Sequence, residues 1–183
     1  MLRHFLIPLD GTPLAEQVLA TALMLGSCMG AEYTLLRVVE PVPVPVVDPV
    51  CAPAAAISPA LIEEQEQAAA GYLKRLAARL RGNDAQLVLH THVVLDAEPA
   101  GAICGFLRRH APHPGQPEKL EEEPPIDLVA LATHGREGLA RLLLGSVADR
   151  VLQHTPVPLL LQRSVETGAK THHSPPAVLN TSL

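Results

Sequence analysis

A chain of 183 residues is long enough to bury one core and short for two, so a single domain with extensions is expected. Fourteen Lys and Arg against nineteen Asp and Glu give a formal charge of −5, and with two Tyr, two Phe and no Trp this excludes a nucleic-acid surface that tracks phosphates or stacks bases. Cys28, Cys51 and Cys104 form no C-x-x-C pair, and no apolar run nears the ~18 residues of a membrane span, so a cytoplasmic protein without disulfides is expected.

The predicted elements alternate between strand and helix, the pattern of an α/β fold with a parallel sheet covered on both faces. Phe5–Leu9 is an apolar strand that stops at Asp10-Gly11-Thr12-Pro13. Thr12 suits a helix cap and Pro13 its first position, and Leu14, Val18, Ala22 and Leu25 then recur at helical spacing to about Met29. Tyr33–Val39 reads as a second strand buried on both faces. From 41 to 59 prolines recur so closely that neither ladder nor helix is expected, only an extended loop. Ser58-Pro59 opens a long helix with Leu73, Leu76 and Leu80 on one face, closed by Arg81 and Gly82.

Leu87–Leu95 reads as the third strand, followed from Glu98-Pro99 by a helix carrying Ile103, Phe106 and Leu107 that ends before Pro112. Residues 111–125 hold five prolines and the run Glu121-Glu122-Glu123, a composition that cannot offset the entropy of ordering, so a mobile acidic loop is expected. Ile126–Ala132 is the fourth strand, Ser146–His154 a short helix and Val157–Leu161 the fifth strand. The sequence from 164 to 183 is expected to be a disordered tail.

The stretch from Ala132 to Val147 follows a strand and leads into a helix, the context of a phosphate-binding loop. Gly135, Gly138 and Gly145 let backbone amides turn toward an anion, and Ser146 adds a hydroxyl at the positive end of a helix, although the same residues also suit plain turns and an N-cap. Asp10 fits either a ligand contact or a turn-stabilising aspartate. His90 and His92 share a strand face, but no third ligand has sensible spacing, so they read as surface or satisfied histidines, and His172-His173 carries no more.

These residues resemble the universal stress protein family, whose signature runs Gly, two residues, Gly, nine residues, Gly, then Ser or Thr. Gly135, Arg136–Leu144 and Gly145-Ser146 match it, while Ala132 holds the place of the first glycine. Pro8-Leu9-Asp10-Gly11 is similar to the family's first strand ending, Val38 to the position that packs on adenine, Thr133-His134-Gly135-Arg136 to its Thr-His-Gly-Arg run, and Val157–Leu161 to its last strand. The resemblance spans Leu2 to Arg163 and implies an open five-stranded parallel sheet of order 3-2-1-4-5, of the adenine-nucleotide alpha hydrolase-like type.

It further implies that ATP, with magnesium reached through Asp10, binds to Pro8, Leu9, Asp10, Gly11, Val38, Ala132, Thr133, His134, Gly135, Arg136, Gly138, Gly145, Ser146 and Val147, and that a homodimer forms through the last strand. No positioned nucleophile, Walker lysine or arginine finger is visible, so a binding protein with at most slow hydrolysis is expected rather than an enzyme. Two alternatives keep the fold: a dimeric interaction module without nucleotide, and an adenylyl transferase or ATP pyrophosphatase, against which stands the lack of a His-x-x-His or Ser-Gly-Gly turn after the first strand.

Overall fold

The computed structural model describes residues 2–42, 44–46, 54–56, 58–112, 124–134 and 145–164. The expected phosphate loop with Gly135, Arg136 and Gly138, the acidic run, Cys51 and the tail from 165 onward lie outside the described residues, while Ser164, expected in the tail, ends the last strand. Eleven elements follow in order: β1 His4–Pro8, α1 Pro13–Ser27, β2 Glu32–Val39, β3 Val44–Val46, β4 Ala54–Ala56, α2 Pro59–Asn83, β5 Leu89–Leu95, α3 Pro99–His110, β6 Leu128–His134, α4 Ser146–His154 and β7 Leu159–Ser164.

Five strands form one parallel sheet in the order β5-β2-β1-β6-β7, which is 3-2-1-4-5 when the main strands alone are counted. Every residue of β1 is buried, as a central strand covered on both faces requires. Side chains alternate across the sheet. Phe5, Ile7, Tyr33 and Leu35 join α1 and α2 in one core, and Leu6, Leu36, Val129 and Leu131 join α3 and α4 in the other. The chain winds outward from β1 through β2 to β5, then returns to β6 on the far side of β1 and continues to β7. That reversal puts α3 and α4 on the face opposite α1 and α2.

Two polar residues fix the foot of the sheet. The fully buried His4 donates from Nδ1 to the Pro124 carbonyl at 2.6 Å, and its Nε2 pairs with the Thr34 hydroxyl at 2.8 Å. Asp127 adds its amide to the His4 carbonyl and its carboxylate to the Arg3 amide, so the entry to β6 is stitched to β1.

Several boundaries differ from the sequence reading. Between 41 and 59 a ladder does form, a two-stranded antiparallel hairpin of β3 and β4 with Pro45 opposite Ala55. A ribbon this short and separate from the main sheet accepts proline wherever the missing N–H points outward. The fourth and fifth strands start and end later than expected, because Ala132, Thr133 and His134 pair with the polar Gln162, Arg163 and Ser164. Cys28 is exposed at the end of α1, whereas Cys104 is buried. His90 faces Glu32 at 2.9 Å and the His4 ring at 5.7 Å, and His92 packs on the Phe106 ring at 5.3 Å.

Helix α1 ends where Gly26 lets the Tyr33 ring pass, leaving its hydroxyl to donate to the Leu23 carbonyl at 3.2 Å. A Cβ on Gly26 would meet the Tyr33 ring carbons at 2.8 Å and its hydroxyl closer still. Gly26→Ala is therefore expected to cost about 1–3 kcal/mol through overpacking, read as a lower urea midpoint at unchanged slope. An unchanged midpoint would count against this packing.

Candidate functional site

The carboxyl ends of β1 and β6 flank the point where the winding reverses, and a cavity of about 330 Å³ opens there. Its first wall is the turn after β1. Leu9 continues the ladder through its amide to the Leu36 carbonyl at 2.8 Å, and Asp10 then turns outward, exposed. Asp10 Oδ1 accepts from the Thr12 amide at 2.8 Å and hydroxyl at 2.6 Å, and Thr12 Oγ1 accepts from the Ala15 amide at 3.1 Å. Thr12 is thus the cap of α1 and Pro13 its first residue, as the sequence implies. Gly11 lies at φ +80°, a backbone that costs an L-residue roughly 1–2 kcal/mol.

The second wall is the start of α4. Gly145, not Ser146, occupies the cap position, at φ −56° and ψ 152°, and Ser146 is the first helical residue. The first bond of the helix runs from the Asp149 amide to the Gly145 carbonyl at 2.9 Å, so the amides of Ser146, Val147 and Ala148 have no acceptor within the helix. The three residues line the cavity. A Cβ on Gly145 would meet nothing within 4 Å, so the backbone there borders open space. Anions favour such a helix start.

Leu36 and Val38 from β2, Leu131 from β6, and Pro99 and Ile103 from α3 supply the apolar lining. Charge enters through Asp10 and Glu40 against Arg37, the one cation among the described lining residues. Within the α3 and α4 wall, Glu98 at the start of α3 pairs with Arg150 of α4. Behind α1, Glu16 accepts from the Tyr72 hydroxyl at 2.9 Å and pairs with Arg79.

Of the residues singled out from sequence, Pro8, Leu9, Asp10, Val38, Ala132, Thr133, Gly145, Ser146 and Val147 line one cavity. Gly11 shapes the adjoining turn without lining it, and His134 closes β6. Ala132 sits in an extended ladder opposite Gln162, where no positive φ is demanded and alanine is at ease. Sequence reasoning missed Ala15, Leu36, Arg37, Glu40, Pro99, Ile103, Leu131 and Ala148. Pro99 carried a usable signal, since a proline that opens a helix after a strand stands at the same rim.

The model of the universal stress protein family matches residues 1–163. The chain belongs to the universal stress protein family. A universal stress protein of Methanocaldococcus jannaschii is 27% identical over 162 residues, covering 87% of this chain and 81% of the relative. Among solved structures, the universal stress protein UspA of Lactobacillus plantarum shares the fold with a TM-score of 0.60 at 21% identity, covering 88% of this chain and 98% of that one. A universal stress protein family member of Arabidopsis thaliana, solved with AMP bound, has a TM-score of 0.53 at 12% identity and covers 93% of this chain and 97% of its own.

Beside the crevice of this universal stress protein, the Tyr72 hydroxyl is pushed well above its ordinary value of 10.0, first by burial and then by its hydrogen bond to Glu16 and that carboxylate's charge. Tyr33 is raised as well, mainly by burial. A raised phenol holds its stabilising effect below pH 10 and loses it as pH climbs through the folded value. Folding stability is thus expected to fall from pH 10 upward, and Tyr72→Phe to flatten part of the fall. Equal slopes for the two proteins in urea unfolding across this range would contradict it.

Proposed function

We propose that the protein binds an adenine nucleotide, ATP, in the crevice between Asp10 and the start of α4, and acts as a nucleotide-responsive stress protein that hydrolyses its ligand slowly at most. The observation that carries this reading is the convergence of the first residues of α4, whose amides have no acceptor within the helix, and an exposed carboxylate on one cavity at the reversal point of the sheet. The AMP held by the Arabidopsis relative supports the choice of base. In this reading the purine packs on Val38 and Ile103, the phosphates meet the amides of Ser146, Val147 and Ala148, and Asp10 reaches the nucleoside or a magnesium ion on its phosphates. Pro8, Leu9, Ala132, Thr133, His134, Gly135, Arg136, Gly138 and Gly145 complete the site, with Gly11 setting the turn.

The described lining offers no lysine to a phosphate, and its single cation is Arg37 of β2. Rapid phosphoryl transfer depends on positioned cations and a base, so binding is the function assigned here. Among the described residues, no helix is long and apolar enough to cross a membrane. Among the described residues the outer strand β7 pairs with β6 alone, and we propose that its other edge meets a second copy in a homodimer.

Calorimetry with AMP, ADP and ATP is expected to give micromolar dissociation constants, and no binding below millimolar concentration by any of them rejects the reading in favour of a nucleotide-free interaction module. Ser146→Asp puts a carboxylate on the free amides. It is expected to weaken ATP by about tenfold, ~1.4 kcal/mol, while leaving thermal stability equal or higher because an acid suits a helix start. Loss of affinity together with loss of stability would instead mark Ser146 as structural. Sedimentation at micromolar concentration is expected to show a dimer, and a monomer discards the β7 pairing.

A further inference from the structure

We infer that Arg37 is a positioning residue for Asp10, bracing the turn after β1 from behind so that the free carboxylate oxygen stays aimed at the ligand. This rests on the nucleotide reading above and adds to it the device that makes Asp10 competent.

Along β2 the side chains alternate. Tyr33 and Leu35 lie in the α1 and α2 core, Leu36 and Val38 on the α3 and α4 side, so Arg37 leaves the strand toward the first of these faces. From there its Nη1 donates to the Leu9 carbonyl at 3.3 Å. Its guanidinium carbon stands 3.9 Å from the point a Cβ on Gly11 would occupy. The flat group is therefore bonded to the residue before Asp10 and stands beside the residue after it. A planar fork with several donors loses little freedom in such a double contact.

From the other side Thr12 grips Asp10 through Oδ1 alone, by both amide and hydroxyl. Oδ2 accepts no hydrogen bond among the described residues. The carboxylate is thus clamped by one oxygen and its turn is held by Arg37, which leaves the second oxygen for a donor on the nucleoside. Electrostatics point the same way. Arg37 and Asp10 act on the Tyr72 hydroxyl with opposite signs, which puts the three groups in one neighbourhood. Asp10, Glu40 and Arg37 all line the same cavity.

A double-mutant cycle read by calorimetry with AMP tests the assignment. Arg37→Met and Asp10→Asn are each expected to weaken AMP by about tenfold, and the double variant by no more than either alone, since the first acts through the second. Arg37→Lys keeps the charge and one donor for Leu9, and is expected to return affinity to within about threefold of the parent. Thermal melting of the ligand-free proteins separates a general loss of folding from loss of aim. Undiminished affinity in Arg37→Met, or losses that multiply to about a hundredfold in the double variant, overturn the inference while leaving nucleotide binding intact. A parent protein that binds no nucleotide overturns both.

Discussion

The covering of β1 on both faces is the constraint on which the rest of the molecule depends. A strand with all five residues buried must be flanked by strands on each side and by helices above and below. With right-handed crossovers, that is achieved only when the chain winds away from β1 in one direction and then in the other. The two directions part between β1 and β6, and their loops diverge at the carboxyl edge. The cavity is the gap left by that divergence, so the central core and the site arise from one topological necessity.

The two walls of the gap are held by different means. On the β1 side, side-chain bonds at 2.6 to 3.1 Å run from Asp10 to Thr12 to Ala15, so the same contacts cap α1 and fix the turn. Behind them, Glu16, Tyr72 and Arg79 tie α1 to α2. On the α4 side Gly145 has no side chain to cap with, and the first amides of the helix have no acceptor within it. Its position is secured from the side, by packing of Val151 and Ala148 and by the Glu98–Arg150 pair with α3. Among the described residues the first wall is satisfied by its own side chains and the second is not, and the second is where a ligand has most to gain.

Most of this architecture is legible in the sequence because its elements are long, periodic and bounded by turn chemistry. Thr12-Pro13 and Ser58-Pro59 mark helix starts that the structure keeps. What escapes is whatever depends on a partner across space. The polar end of β7 is strand only because β6 lies beside it, and three-residue ribbons among prolines have no period to read. Cap identity at α4 fell to Gly145 by a single residue, since backbone angles and not side-chain preference decide it. In the crevice, Asp10 and Ser146 announce themselves through turn and helix-start chemistry. Arg37 and Glu40 do not, because their meaning lies in what β1 brings beside them.

The stitching of His4 to Pro124, with Asp127 on β1, has a consequence for the long acidic stretch between α3 and β6. In a parallel sheet, a connection from helix to strand is anchored at the amino edge, whereas the crevice lies at the carboxyl edge. Both ends of that stretch are fastened, by the His110 carbonyl to the Ile126 amide and by His4, before the sheet begins. Its attachment points therefore lie at the edge of the sheet away from the crevice.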